Sequence, residues 1–198
     1  MDAVRKNRPR ATIADLFAIP EATRFHELIN GEIIEKGAAT GAHGGVQAEL
    51  TTRLNGPFGR RPGGRWPGGW WFAIDVDIRF GEDVCRPDVV AWRRDRVTER
   101  PLGALVSVRP DWVCEILSTN HRNDLVRKKH IYHRHEVGHY WILDPVEETL
   151  AVYRWHPAGY LEVLAAESGN RVRAEPFDAI ELPVGALFGK EEDEGEGP

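Results

Sequence analysis

Two carboxylates and a lysine stand where the local pattern turns them inward. Asp88 follows Pro87 and opens the apolar run Val89-Val90-Ala91-Trp92, on the same side of an extended chain as Val90 and Trp92. Glu115 sits inside the next apolar run, Trp112 to Leu117, on the face of Val113 and Leu117. Burying an ionised carboxylate costs several kcal/mol unless it is paired, protonated or metal-bound. Two readings satisfy that requirement: ion pairs with nearby arginines such as Arg86, or joint binding of a hard cation. Lys128 bears on the choice. On a helix over 124–136, Leu125, Lys128 and Tyr132 are spaced by three and four and share a face, while Lys129 is rotated by about 100° and should point to solvent. A lysine on that face either snorkels to water or is aimed at the acids. In the second case the three groups suit phosphodiester hydrolysis, with acids for a divalent cation and a lysine for the attacking water or the developing phosphoryl charge.

The elements that must position these groups can be read from the same pattern. Thr12 with Asp15 resembles a helix cap, and the helix it starts should end by Pro20. Asn30-Gly31, between RFHELI and EIIEK, predicts a type I′ hairpin. Val46, Leu50 and Leu54 predict a helix over about 43–55, stopped by Gly56-Pro57. Alternation from Trp70 to Phe80 predicts one strand with a single buried face, and VCRPDVVAW its returning partner. DWVCEIL, HYWILD, TLAVYRW and YLEVLAA follow as strands, with the Lys128 helix between the first two. The expected class is α/β or α+β, around a mixed sheet.

Taken in order, these segments resemble the Uma family of restriction endonucleases, within the PD-(D/E)XK nuclease superfamily. The likeness rests on Arg86-Pro87-Asp88-Val89-Val90, on Pro110 to Ser118 around Glu115, on Asp124, Lys128 and Tyr132 at four-residue spacing, and on Tyr140 to Pro145. Phe25-x-Glu27-Leu28-Ile29-Asn30-Gly31-Glu32 and the isolated His43 match as well. It covers about residues 12–188. The resemblance implies a restriction-endonuclease-like fold, a central mixed sheet flanked by helices, with Asp88 and Glu115 as ligands of Mg²⁺ or Mn²⁺. The superfamily's lysine two positions after the acid is replaced here by Leu117, and Lys128 is the residue that matches a lysine moved to the following helix. Thr119 and Asn120 depart from the family's usual residues. Glu32, His43 and Tyr132 are secondary site candidates; for Glu32 and His43 the plainer reading is a turn-flanking acid and a helix-start histidine. The implied activity is a Mg²⁺-dependent DNA endonuclease working as a homodimer, and the rival is a non-catalytic nucleic-acid-binding or interaction module that keeps the fold.

A second constellation, His130, His133, His135 and His139 with His121 upstream, could share a zinc ion, but no HExxH pattern accompanies it. Composition narrows the rest. The 198 residues suit one domain, expected over 11–189, with charged tails at 1–10 and 190–198. No run is long and apolar enough for a membrane span, no signal peptide opens the chain, and Cys85 and Cys114 are too few for a disulfide scaffold, so a cytoplasmic protein is expected. The net charge of −5 conceals two basic stretches, Arg53 to Arg65 and Arg93 to Arg109. Each is either a solvated loop or a track for phosphates. Alternation assigns most of the seven tryptophans to the core.

Overall fold

Asn30 and Gly31 take φ values of 54° and 77°, as a type I′ turn requires, and join β1 (His26–Ile29) to β2 (Glu32–Glu35). This computed structural model describes residues 9–38, 40–118 and 123–191, apart from the side chains of Asn123 and Asp124. The tails expected at the two ends fall outside them except at 9–10 and 190–191. Helix α1 (Ile13–Phe17) opens with the Thr12 and Asp15 capping box and seats Leu16 against Leu28 and Val84. Helix α2 (Gly41–Phe58) is longer than the sequence suggests. It begins at Thr40, whose hydroxyl accepts the His43 N–H, and it tolerates Pro57 in its last turn, where little of the hydrogen-bond ladder remains to be lost.

The single strand expected from Trp70 to Phe80 is two. β3 (Trp70–Ile74) stops at Asp75, whose φ of 51° breaks the extended run, and β4 (Ile78–Phe80) resumes on another plane. The return breaks at the same level: β5 (Asp83–Cys85) and β6 (Val89–Arg93) flank Arg86-Pro87-Asp88, and a proline cannot donate to the ladder. β3 pairs with β6 and β4 with β5, so one bent hairpin serves two sheets. The bend also resets the buried face, leaving Ile74 49% exposed and Asp77 only 3%.

The main sheet has β3 and β6 at one side, then β7 (Trp112–Ile116), β8 (His139–Asp144), β9 (Thr149–Arg154) and β10 (Leu161–Glu167), in the order β10-β9-β8-β7-β6-β3. Only β7 and β8 run parallel, which makes the sheet mixed. A second sheet has the order β2-β1-β5-β4. β11 (Arg171–Val172) and β12 (Leu182–Pro183) form a small ribbon before α4 (Val184–Leu187). On one face of the main sheet α2 packs through Val46, Leu50 and Leu54 against Trp112, Trp141 and Phe177. The other face, bearing Val90, Val113, Tyr140 and Ile142, is covered by Ile29, Ile78 and Phe80 of the second sheet and by Ile131 and Tyr132 of the crossover.

That crossover is not one α-helix over 124–136. A π-helical turn (Asn123–Lys128) leads into α3 (Lys129–Arg134). Its wider winding takes Leu125 off the shared face, so Leu125 is 38% exposed while Lys128 and Tyr132 are buried. Lys129 does not stand free in solvent either: half-buried, it lies with Nζ 3.6 Å from the centre of the Tyr153 ring. No helix among the described residues is long and apolar enough to cross a membrane.

Candidate active site

The bent hairpin brings the two sheets together at Asp88. One register step beyond the Val89 and Cys114 pair, Asp88 stands opposite the end of β7, and its Oδ2 accepts the Ile116 N–H at 2.6 Å. Its other oxygen, Oδ1, accepts from Lys36 Nζ at 2.7 Å and faces His43 Nε2 at 3.3 Å. Lys36 follows β2, and His43 is in the first turn of α2, so residues from both layers converge on this carboxylate. Gln47, one turn further along α2, donates to the Asp88 carbonyl at 2.8 Å and to Asp75 Oδ2 at 3.0 Å.

Glu115 projects from β7 towards the crossover. Its Oε2 lies 3.0 Å from Lys128 Nζ, and its Oε1 accepts the Tyr132 hydroxyl. Lys128 is bound on a second side by Glu27 of β1, whose Oε1 is also 3.0 Å away and accepts the Arg86 N–H at 2.7 Å. Glu27, Asp88, Glu115 and Lys128 are all nearly inaccessible to solvent. These three carboxylates, with the exposed Glu35 and the ammonium groups of Lys36 and Lys128, line a cavity of about 20 Å³, room for one water-sized occupant. Burial by itself would raise the Asp88 carboxyl, but the His43 hydrogen bond and the charge of Lys36 hold it below the usual carboxylate range. Burial would lower Lys36, and the charge of Asp88 overcomes it and raises the ammonium. Burial, then the neighbouring charge of Glu115, push the Tyr132 phenol well up, keeping it a hydrogen-bond donor.

Of the residues expected from sequence, Asp88, Glu115, Lys128, Tyr132 and His43 meet here. Glu32 does not: it is exposed and pairs with Arg127 at 3.0 Å. The Arg86 guanidinium turns to Asp77 at 2.7 and 3.0 Å, while Lys36 meets Asp88 and Lys128 meets Glu115. Glu27 and Lys36 are additions. Glu27 had a signal, since alternation in β1 sets it on the face of Ile29, an inward carboxylate like the other two. Lys36 had none, because it lies just past the end of a strand.

The donor set fits a hard divalent cation in type: Asp88 and Glu115 supply carboxylate oxygens, the cavity suits one small occupant, and Mg²⁺ is commonly held by one or two carboxylates with water completing the shell. Among the described residues no three His, Cys, Asp or Glu side chains stand together as metal ligands, whether at this cavity or among His130, His133, His135 and His139. His133 instead stacks on Trp155 and contacts the His156 carbonyl at 2.8 Å, and His139 meets Glu175 at 3.2 Å. His121 lies outside the described residues.

The protein is a mixed α+β fold in which acids and lysines gather at the seam between two sheets joined by a bent hairpin. The chain belongs to the Uma2 family: the family model, described as "Putative restriction endonuclease", matches residues 13–185. The crystal structure of "a putative nuclease belonging to DUF820 from Anabaena variabilis ATCC 29413" shares the fold, with a TM-score of 0.72 and 22% identity over 90% of this chain and 97% of that one. No curated protein matches the sequence.

Proposed function

We propose that the chain is a divalent-metal-dependent endonuclease that hydrolyses phosphodiester bonds of DNA. The observation that carries this reading is the convergence of Glu27, Asp88 and Glu115 with Lys36 and Lys128 on one small cavity, a cluster with more carboxylates than ammonium groups. Asp88 and Glu115 would hold Mg²⁺ or Mn²⁺. Bound there, the cation supplies Lewis-acid polarisation of the phosphoryl group and a more acidic water.

The remaining work falls to side chains. The Ile116 N–H fixes the orientation of Asp88, and the Tyr132 hydroxyl fixes that of Glu115. Lys128, gripped by Glu27 and Glu115, presents its ammonium at the cavity, where it orients the attacking water and offsets charge growing on the phosphoryl oxygens. Water adds to phosphorus as the bond to the leaving oxygen breaks, and that oxygen takes up a proton. Beside the cavity a wider opening of about 440 Å³, edged by Phe25, Lys36, His43, Gln47 and Arg86, gives a flanking nucleotide a place to lie. Cutting both strands of a duplex calls for two such sites related by the duplex symmetry, hence a homodimer as the working unit.

One observation favours the rival, a nucleic-acid-binding module that keeps the fold: Lys36 already bonds the Asp88 oxygen that a cation would use. Incubation with supercoiled plasmid decides between them. Nicking that needs Mg²⁺ or Mn²⁺ and falls at least about a hundredfold in Asp88→Asn supports the nuclease; binding of plasmid without nicking under any cation supports the module.

A further inference from the structure

The arginines that the sequence left open as solvated loop or phosphate track fall into two sets. Arg53 pairs with Glu49 at 3.4 Å, Arg93 with Asp95, Arg96 with Asp111 at 2.7 Å, and Arg109 with Glu136 at 3.8 Å. Arg60, Arg61, Arg65, Arg94 and Arg100 form no ion pair among the described residues. Two of these five are fixed on the outer edge of β3, the terminal strand of the main sheet. Arg94 Nε donates to the Trp70 carbonyl at 3.0 Å, its guanidinium carbon lies 3.5 Å from the centre of the Trp71 ring, and Arg100 donates to the Phe72 carbonyl at 2.9 Å. They cover carbonyls that an edge strand otherwise offers for strand addition, and they line a groove of about 510 Å³ with Thr51, Asn55, Trp71 and Ile74. Partial burial, then the charges of Arg61 and Arg100, lower the Arg94 guanidinium, so two further cations stand near enough to act on it. On the preceding loop, Trp66 is 42% exposed with Arg65 5.2 Å from its ring centre.

We infer that this groove binds the phosphodiester backbone of a nucleic acid, as a second contact surface apart from the cavity at Asp88. Forked guanidinium groups already anchored to backbone carbonyls and a ring lose little freedom on meeting a phosphate, and the exposed Trp66 indole on the preceding loop offers a face for a base. The position is also right for one continuous polymer. β3, five residues and about 17 Å long, lines the groove along its length and leads to Asp75, whose carboxylate is 3.4 Å from Lys36 at the cavity. The identity of the polymer rests on the nuclease reading; the location rests on the arginines alone.

The test is binding of the full chain to a fluorescently labelled DNA duplex in EDTA over a series of salt concentrations. Removing phosphate contacts lowers the slope of log affinity against log salt by about 0.9 for each contact. Arg61→Gln/Arg65→Gln/Arg100→Gln should therefore lower it by about 2 to 3, whereas Arg79→Gln, on β4 of the second sheet, should leave it unchanged. If the triple variant melts early, Arg100→Gln alone carries the test with an expected drop of about 0.9, since Arg100 lines the groove and among the described residues is held by one hydrogen bond, to the Phe72 carbonyl. A wild type that does not bind the duplex, or a slope untouched by these substitutions, overturns the inference. Plasmid nicking is scored separately: nicking with unchanged slopes removes the groove and keeps the nuclease, and lowered slopes without nicking do the opposite.

Discussion

Lys128 is 1% exposed and lies between two carboxylates at 3.0 Å each, while Arg61 is exposed, forms no ion pair among the described residues and acts on the charge of Arg94. The seam between the sheets and the edge of β3 both gather charge, yet only the seam balances it. Water explains the difference. At the edge, solvent screens like charges and leaves them available to an outside anion. At the seam Glu27, Asp88, Glu115 and Lys128 are buried away from bulk solvent, and such charges need partners from within the protein. A residue at the seam therefore serves folding and chemistry together, whereas one at the edge can be changed for chemistry alone.

Lys128→Met should expose that coupling most strongly. The sequence alone suggests a variant that loses cleavage and keeps its fold. With Glu27 and Glu115 left buried without the ammonium between them, a loss of about 3–5 kcal/mol in unfolding free energy is expected instead, as for other broken buried pairs. Urea denaturation measures it, and Lys128→Met/Glu27→Gln should recover part of the loss. A cost below about 1 kcal/mol would place Lys128 among residues that behave like those at the surface.

Asp88 gives the next effect, and it depends on pH. Its folded-state carboxyl is held below the ordinary range, against burial, by His43 and Lys36. The stabilisation is therefore complete above the unfolded value, about 3.9, and fades as pH falls through the lower folded one. Lys36, raised by Asp88, works in the opposite sense: its share is present below the unfolded lysine value and is lost as pH climbs through the folded one. The stability gap between wild type and Asp88→Asn should be widest near neutrality and narrow towards acid. A gap that stays constant from neutral pH into the acid range would mean the hydrogen bond to Ile116, not the ion pair, is what Asp88 contributes.

How much of this was legible beforehand follows the same physical divide. Asp88 and Glu115 were visible because alternation marks an inward carboxylate as a conflict that needs a reason. Glu27 carried the identical mark in β1. Lys128 was found through its helical spacing to Tyr132, although the π-helical turn removed Leu125 from the face that spacing predicted. Lys36 was invisible: its approach to Asp88 depends on β1 docking against β5, a long-range pairing with no local trace. The division of the hairpin between two sheets was hidden because side chains keep alternating through Asp75, and only Pro87 hinted at it. The arginine stretches were ambiguous in principle, since a basic run reads alike whether or not its carboxylate partners lie elsewhere in the chain.

The smallest expected effect sharpens that last point. Arg96 makes two bonds to Asp111, at 2.7 and 2.9 Å, and Asp111 in turn accepts the Arg93 N–H at 2.8 Å. Arg61 makes no such pair. Arg96→Ala should lower stability by about 0.2–1 kcal/mol, the range for partly exposed pairs, while leaving the salt dependence of DNA binding alone, because its charge is already spent on Asp111. Arg61→Ala should do the reverse, with stability within about 0.5 kcal/mol of wild type and a salt slope lower by about 0.9. Thermal melts and binding titrations on the two single variants are enough to check it. Equal salt slopes in the two variants would show that local pairing does not decide which arginines meet DNA, and the division between the two sets would have to be abandoned.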